Sequence, residues 1–294
     1  MIAVKQAFRA FLITLAAICF GCLPALADES DSEVTTANRI VVDASKYPWS
    51  AVGRVNISGV GTRSHCTGAL VGERVVLTAA HCLYYRSTKR YVSPGLVHFV
   101  AGYQRGEFVA HSTAVQLIPA PGFQGELWAD PSNMEHDWAL VVLQEPIGRK
   151  TGYLGFRTLT PNLLDRMRTE SRFFYLSGYP RDRAHAISVD KECRIERFLG
   201  QGELLSHSCA IVGGDSGAPI TVATSRGLDI IGLNSATNVP LTDGTMTNTA
   251  VPIHTILQLI ERVIRETEEN PRFAANHQRS GRGPVQPTPT SSAD

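Results

Sequence analysis

Residues 74–82 read Arg-Val-Val-Leu-Thr-Ala-Ala-His-Cys, an apolar run that leads directly into a histidine beside a cysteine. Short runs rich in Val and Ile are typical of β-strands. A histidine held at a strand end next to a disulfide is rigidly placed, as a general base must be. This stretch therefore predicts a strand that ends at a candidate functional residue, His81.

Similar short apolar runs, separated by turn residues, recur through most of the chain. They occupy residues 39–42, 52–57, 75–78, 97–100, 138–143, 173–176 and 230–233. The main helical pattern between residues 40 and 249 is a short piece near residues 163–168. The runs therefore predict an all-β barrel or sandwich.

One amphipathic helix is predicted near the C-terminus. From Ile253 onward, apolar residues repeat at spacings of three and four, namely Ile256, Leu257, Ile260, Val263 and Ile264. The pattern ends near Pro271. We expect residues 269–294 to form a disordered tail, because most of this segment is rich in Pro, Ser, Thr, Gly and Gln.

Composition excludes several classes of protein. The chain has 294 residues, of which 43% are hydrophobic and 19% are charged, and its formal net charge is +1. It has no collagen-like glycine period and no sustained heptad pattern. Lys and Arg are scattered, whereas proteins that bind nucleic acid usually gather a basic excess on one face. We therefore expect no nucleic-acid partner.

Residues 1–27 have the pattern of a signal peptide. Lys5 and Arg9 precede an apolar stretch, and Ala25-Leu26-Ala27 matches the small-x-small cleavage site. An uncleaved membrane anchor is the alternative, but the apolar stretch is short for a span and is followed by Pro24. We predict a mature start at Asp28, a secreted or periplasmic location, and no stable membrane span after cleavage.

Four cysteines remain after the predicted cleavage: Cys66, Cys82, Cys193 and Cys209. An even number in an exported chain indicates disulfides. Four cysteines permit three pairings, and equal spacing within each neighbouring pair favours Cys66–Cys82 and Cys193–Cys209. A zinc site is the alternative, but the chain has no C-x-x-C element, so we expect no metal.

A serine lies in a second motif, Gly-Gly-Asp-Ser-Gly-Ala-Pro at residues 213–219. Glycines on both sides of Ser216 allow a tight turn that exposes its hydroxyl. The turn also leaves the amides of Gly214 and Ser216 free to converge on one point.

An acid opens the apolar run at residues 138–143. A buried carboxylate at Asp137 could accept a hydrogen bond from an imidazole N–H and fix its tautomer. Asp130 and Glu135 are nearby alternatives for this role. We favour Asp137 because it directly precedes the strand.

Taken together, these motifs make the chain resemble the chymotrypsin-like serine proteases, and more narrowly their bacterial V8-like (glutamyl-endopeptidase-like) branch. The order of His81, Asp137 and Ser216 matches that of the family. Further matches lie at residues 47–49, 66–70, 177–180 and 231–233. The resemblance covers residues 39–268. It implies a peptidase domain at 40–268, built as two six-stranded antiparallel β-barrels with a C-terminal helix.

The resemblance also implies roles for these residues. Ser216 would be the nucleophile, His81 its general base, and Asp137 the group that orients His81. The amides of Gly214 and Ser216 would form the oxyanion hole. The implied protein is a monomeric serine endopeptidase that acts on polypeptides without a metal or organic cofactor. A catalytically inactive protease-like binding protein and an esterase with the same triad are the alternatives.

Residues near the specificity pocket depart from the family's pattern. Ala210 lies at the offset where trypsin-like members carry an acid. Ile211 and Asn234 correspond to Thr and His in glutamyl-specific members, and Ser235 lies in the strand that would pair with substrate. Neither Arg/Lys nor Glu specificity is predicted. We expect a preference for uncharged, small-to-medium apolar residues on the N-terminal side of the cut.

Activation leaves two alternatives open. Trypsin-like zymogens pair the acid before the catalytic serine, here Asp215, with a newly cut N-terminus. Arg39-Ile40 has the form of such a cut site, with residues 28–39 as a short propeptide or N-terminal tail. In V8-like members the equivalent stretch lies inside a strand. If processing occurs only at Asp28, Asp215 must find another partner.

Overall fold

The computed structural model describes residues 36, 38–59, 65–127, 130–225, 227–241 and 243–270. The predicted signal peptide therefore lies outside the described residues. The same holds for most of residues 28–39 and for the predicted tail from residue 271 onward.

The described residues form seventeen strands and three α-helices. The strands are β1 Ile40–Val41, β2 Val52–Ile57, β3 His65–Leu70, β4 Val75–Thr78, β5 Tyr84–Tyr85, β6 Arg90–Tyr91, β7 Val97–Ala101, β8 Ala110–Pro119, β9 Ala139–Leu143, β10 Gly155–Phe156, β11 Phe174–Gly178, β12 Ser188–Cys193, β13 Ile195–Leu199, β14 Leu204–His207, β15 Pro219–Thr224, β16 Gly227–Pro240 and β17 Met246–Pro252. The helices are α1 Gly148–Thr151, α2 Pro161–Thr169 and α3 Leu257–Glu269.

The first half of the chain forms a closed barrel in the order β2-β3-β4-β9-β8-β7. Strands β4 and β9 are buried along their whole length, so both of their faces are covered. Phe99, Leu77 and Leu140 are fully buried members of its core. Closure pairs every barrel strand on both sides and leaves no free edge.

The second half forms a nine-stranded sheet in the order β1-β12-β11-β15-β16-β17-β14-β13, with β10 paired to β16. The all-β fold with a C-terminal helix is confirmed. This sheet takes the place of the expected second six-stranded barrel, and seven strands remain in it when the two-residue strands β1 and β10 are left out. The β10–β16 pairing is parallel, whereas the neighbouring pairs are antiparallel.

The C-terminal helix α3 packs against the barrel. Residues Ile260 and Val263 are buried in the same apolar cluster as the barrel core. Ile264 lies over Gly72. The apolar pattern began earlier, at Ile253, but residues Ile253–Thr255 form a 3₁₀ turn before the helix starts.

Both expected disulfides are present, Cys66–Cys82 in the barrel half and Cys193–Cys209 in the sheet half. Within the described part of the chain, no helix is both long enough and apolar enough to cross a bilayer.

Candidate active site

Strand pairing brings His81 and Asp137 together. β4 leads into the 3₁₀ turn that carries His81, and Asp137 lies just before β9. Because Thr78 pairs with Ala139 across these antiparallel strands, the two side chains meet at one end of the barrel. His81 Nδ1 lies 2.7 Å from Asp137 Oδ2, and the His81 amide donates to Asp137 Oδ1 at 2.9 Å.

Asp137 is buried and receives a third hydrogen bond from the hydroxyl of Ser235, at 2.6 Å. Burial raises the pKa of the Asp137 carboxyl. The charge of His81 and the hydrogen bonds from His81 and Ser235 outweigh burial, so the pKa lies below its usual value. Asp137 is therefore a carboxylate at neutral pH.

His81 keeps 15% of its side chain exposed. Burial lowers the pKa of its imidazole, but the charge of Asp137 and the hydrogen bond to it outweigh burial. The pKa therefore lies above the ordinary value of a histidine. With Asp137 accepting at Nδ1, the proton of the neutral ring is held there, so Nε2 carries the lone pair that can take up a second proton.

The loop that carries Ser216 lies against the same strand ends. The amide of Thr67 donates to the Ser216 carbonyl at 2.9 Å, and Cys82 Sγ lies 3.9 Å from that oxygen. Gly217 has a φ of +77°, and a side chain there would collide with Thr67 and Thr78. Only glycine allows the loop to approach the barrel this closely.

The amides around Ser216 divide into two groups. Those of Asp215, Gly217 and Ala218 donate to backbone carbonyls at 2.9–3.1 Å. Within the described part of the chain, the amides of Gly214 and Ser216 donate to no acceptor. Gly214 has a φ of +102°, a conformation that favours glycine. The loop therefore keeps two amide donors available next to the serine.

A cleft of about 300 Å³ adjoins Ser216. Its lining is uncharged: Met134, Ile211, Val212, Gly213, Ser216, Asn234, Ser235, Ala236, Thr237, Asn238, Val239 and Pro240. Of the four residues predicted to bind substrate, three lie in this lining. Ala210 is engaged elsewhere, since its amide donates to Asp190 at 2.8 Å and its carbonyl accepts from Arg39 at 3.3 Å.

Asn234 also forms a hydrogen bond with the loop that carries Ser216. Its Nδ2 donates to the Asp215 carbonyl at 2.8 Å, and its Oδ1 lies 3.1 Å from His207 Nε2. Burial lowers the pKa of His207 to about 4, so this ring is neutral. Since the Cys209 amide donates to Nδ1 of His207, the ring proton lies on Nε2 and is donated to Asn234. His207 is buried, and no motif in the sequence singled it out.

Sequence reasoning missed the partner of Asp215. Arg39 Nη1 lies 2.8 Å from Asp215 Oδ2, and neither side chain is exposed to solvent. Ile40, the other half of the predicted cut site, is 40% exposed in β1. The sequence did indicate that Asp215 needs a partner, because a buried acid beside the serine requires a cation. Nothing local identified which cation it would be, since 176 positions separate the two residues.

Two clusters place a histidine beside two cysteine sulfurs: His81 with Cys66 and Cys82, and His207 with Cys193 and Cys209. In both clusters the sulfurs are joined in a disulfide. A metal is bound by thiolate sulfur, so neither cluster offers its sulfurs as ligands.

Comparison with known proteins identifies relatives. The model of the trypsin family matches residues 40–260. Glutamyl endopeptidase of Bacillus licheniformis is 26% identical over 180 residues, which cover 61% of this chain and 51% of that protein. The match thus spans about half the length of that relative. Trypsin iota of Drosophila melanogaster is 24% identical over 225 residues, covering 70% of this chain and 81% of that protein.

Solved structures share the fold. A Glu endopeptidase crystallised with MPD gives a TM-score of 0.59 at 18% identity, covering 77% of this chain and 96% of that chain. A thermostable serine protease, AL20, from an extremophilic microorganism gives 0.52 at 18% identity, covering 75% and 98%.

Proposed function

Because this chain belongs to the trypsin family, we propose that it is a serine endopeptidase that uses Ser216, His81 and Asp137 as its catalytic triad. One observation carries this proposal. The loop of Ser216 is hydrogen-bonded to the same barrel end at which His81 is paired with a buried, ionised Asp137.

In this proposal Ser216 Oγ attacks the scissile carbonyl carbon while its proton passes to His81 Nε2. The amides of Gly214 and Ser216 stabilise the negative oxygen that forms. When the C–N bond breaks, His81 returns the proton to the leaving amine and an acyl-enzyme remains. Water then attacks the ester, with His81 again as the base, and Ser216 is regenerated.

Asp137 has two roles in this reaction. Its bond to Nδ1 holds the imidazole so that Nε2 faces the serine, and its charge stabilises the imidazolium that forms after each proton transfer. The pKa of His81 lies above its ordinary value because of the charge of Asp137 and the hydrogen bond to it, which is consistent with the second role.

The uncharged lining of the cleft supports a preference for small-to-medium apolar side chains at the residue before the cut. Trypsin-like recognition of Arg or Lys needs a carboxylate in this pocket, and the described lining residues provide none. Cleavage-site mapping by mass spectrometry, on a denatured protein substrate, tests this directly. A dominant preference for Glu, Arg or Lys would contradict it.

We also propose that the protein is exported through its signal sequence and acts outside the cytoplasm on polypeptides. The signal pattern of residues 1–27 and the two disulfides support this location, because disulfides persist in oxidising compartments.

A fluorophosphonate probe tests the triad. We expect the probe to label the wild type and not Ser216→Ala, and the wild type to cleave peptides as well as esters. Labelling with hydrolysis of esters alone would favour the esterase alternative. No labelling of a folded wild type would favour an inactive, protease-like binding protein.

A further inference from the structure

We propose that Arg39 is a positioning residue: its guanidinium fixes Asp215, and through it the amides of Gly214 and Ser216, in a chain that has not been cut at Arg39. This inference rests on the proposed function, since it concerns the oxyanion hole of that reaction.

The contacts of Arg39 tie together three segments around the serine loop. Nη1 donates to Asp215 Oδ2 at 2.8 Å and to the Ala210 carbonyl at 3.3 Å, and Nη2 donates to the Ser188 carbonyl at 2.7 Å. The amide of Val212 donates to the same carboxylate oxygen at 3.2 Å. The guanidinium therefore joins β12, the segment before the serine loop, and the loop itself.

The burial of this pair makes the cation necessary. Burial raises the pKa of the Asp215 carboxyl, and the charge of Arg39 opposes that rise. A carboxylate buried without a cation is costly and would turn toward solvent or take up a proton. Asp215 lies between Gly214 and Ser216, whose amides are proposed to bind the substrate oxygen. A rotation of its side chain would therefore re-aim both donors.

Arginine suits this position better than lysine does. Its planar fork presents several donors at fixed angles, and its charge persists at any pH at which proteins fold. Here two nitrogens of one guanidinium reach acceptors on different segments. A lysine ammonium is a single point charge, so it cannot occupy both positions.

The backbone of Arg39 is held as firmly as its side chain. Its carbonyl accepts from Arg183 at 2.8 Å, and its amide donates to the Thr36 carbonyl at 3.0 Å. The next two residues, in β1, pair with β12. Cleavage after Arg39 would also separate this guanidinium from the chain that carries Asp215. Pairing through Arg39 and activation by a new N-terminus at Ile40 are therefore mutually exclusive.

Three variants distinguish these two hypotheses: Arg39→Gln, Arg39→Lys and Ile40→Gln. Each is purified from the full-length chain, and its N-terminus is sequenced. We expect the active wild type to retain Arg39. We expect Arg39→Gln to lose about 10²–10³-fold in kcat, the size of losing one oxyanion donor, with KM changed little. Arg39→Lys should recover part of the loss, and Ile40→Gln should match the wild type.

Activation by cleavage predicts a different pattern. Arg39→Lys keeps a basic residue before the bond, so it would be processed and fully active. Ile40→Gln would lose activity, because the residue at the new N-terminus would be changed. An active wild type that begins at Ile40 would overturn our proposal. So would a folded Arg39→Gln with unchanged kcat.

A transition-state readout separates positioning from general stability. A peptide boronic acid binds as a tetrahedral anion in the oxyanion hole, so its affinity should fall in Arg39→Gln in step with kcat. If only the melting temperature falls, and kcat and boronate affinity stay at wild-type values, Arg39 is merely structural and the proposal is wrong.

Arg39→Gln leaves a buried carboxylate unpaired and can fail to fold. The double variant Arg39→Gln/Asp215→Asn removes both charges and provides the second test. A folded double variant with reduced kcat supports the proposal, and one with wild-type kcat overturns it. A folded wild type that neither hydrolyses peptides nor reacts with fluorophosphonate would instead contradict the proposed function itself.

Discussion

Asp137 and Asp215 are both buried carboxylates near the serine, with 1% and 0% of their surfaces exposed, and they differ in how each is neutralised. Asp137 accepts hydrogen bonds on both oxygens, from the amide and ring of His81 and from Ser235. Asp215 receives its two bonds on a single oxygen, from Arg39 and the Val212 amide. The pKa of Asp137 lies below its usual value, and that of Asp215 lies above it.

The difference lies in the partner. His81 can be neutral or charged, so Asp137 faces a group whose charge changes when a proton moves. Arg39 is charged at all times, so Asp215 faces a constant charge. A carboxylate beside a titratable partner suits chemistry, whereas one beside a permanent cation suits the holding of a loop. Substitutions at the two acids should therefore affect catalysis and stability differently.

The largest effect is expected at the serine itself. Ser216→Ala and His81→Ala should each lower kcat about 10⁶-fold, and the double variant should be hardly worse, because triad members act as a unit. Steady-state hydrolysis of a peptide substrate measures this, with circular dichroism to check the fold. Losses that multiply in the double variant would contradict a shared mechanism.

Asp137→Asn is expected to lower kcat about 10⁴-fold, because an amide cannot hold the imidazole in the required tautomer. Asp243→Asn, which changes an exposed turn acid, is the matched control and should leave kcat unchanged. A loss below tenfold in Asp137→Asn would mean that another group orients His81.

The loss of stability should be larger for a substitution at Asp215 than for one at Asp137. Asp215→Asn leaves the buried guanidinium of Arg39 uncompensated and should lower the free energy of unfolding by about 3–5 kcal/mol. Asp137→Asn leaves only a neutral histidine and should lower it by about 1–2 kcal/mol. Urea denaturation on a Ser216→Ala background, where self-digestion is absent, compares the two. Equal losses in the free energy of unfolding would contradict the assignment of a structural role to Asp215 and a catalytic role to Asp137.

The pH dependence follows from the raised pKa of His81. The base must be unprotonated, so kcat/KM should rise about tenfold per pH unit at low pH and level off above a midpoint higher than 6.5. In Asp137→Asn the residual activity should have a lower midpoint, because burial then acts without the opposing carboxylate. A flat profile from pH 5 to 8, with chemistry limiting, would exclude His81 as the base.

The smallest effect is expected from Ser235→Ala. It removes one of the hydrogen bonds to Asp137, worth about 1 kcal/mol, and should lower kcat about fivefold. Ser206→Ala provides the control, since that buried hydroxyl bonds to Glu196 and Thr247 away from the site. A larger loss would give Ser235 a direct part in catalysis.

The sequence predicted strands well where buried apolar residues either run together or alternate with polar ones. The predicted run at 75–78 coincides with β4, whose four residues are all buried. The run at 52–57 coincides with β2, in which Val55 and Ile57 alternate with polar residues. Strands β12 and β13 were not predicted. Their exposed faces carry charged residues such as Lys191 and Arg197, which hide the apolar alternation.

The sequence predicted the parts of the site that lie within short, continuous segments of the chain. The motifs around His81 and Ser216 are contiguous in sequence, so the residues and their family resemblance were visible there. Contacts between distant segments were not visible. The bond from Ser235 to Asp137 and the pairing of Arg39 with Asp215 depend on the register of strands far apart in the chain.

The two halves of the fold each hold an incomplete set of the proposed catalytic groups. The barrel carries His81 and Asp137, whereas the nine-stranded sheet carries Ser216 and Ser235. The apolar core runs continuously between the halves, with Leu233 of the sheet in the same cluster as the barrel core. The rate of hydrolysis would therefore depend on how the two halves pack against each other. A chain nicked between them should lose activity when its fragments are separated and regain it when they are mixed, as in a split-enzyme sensor.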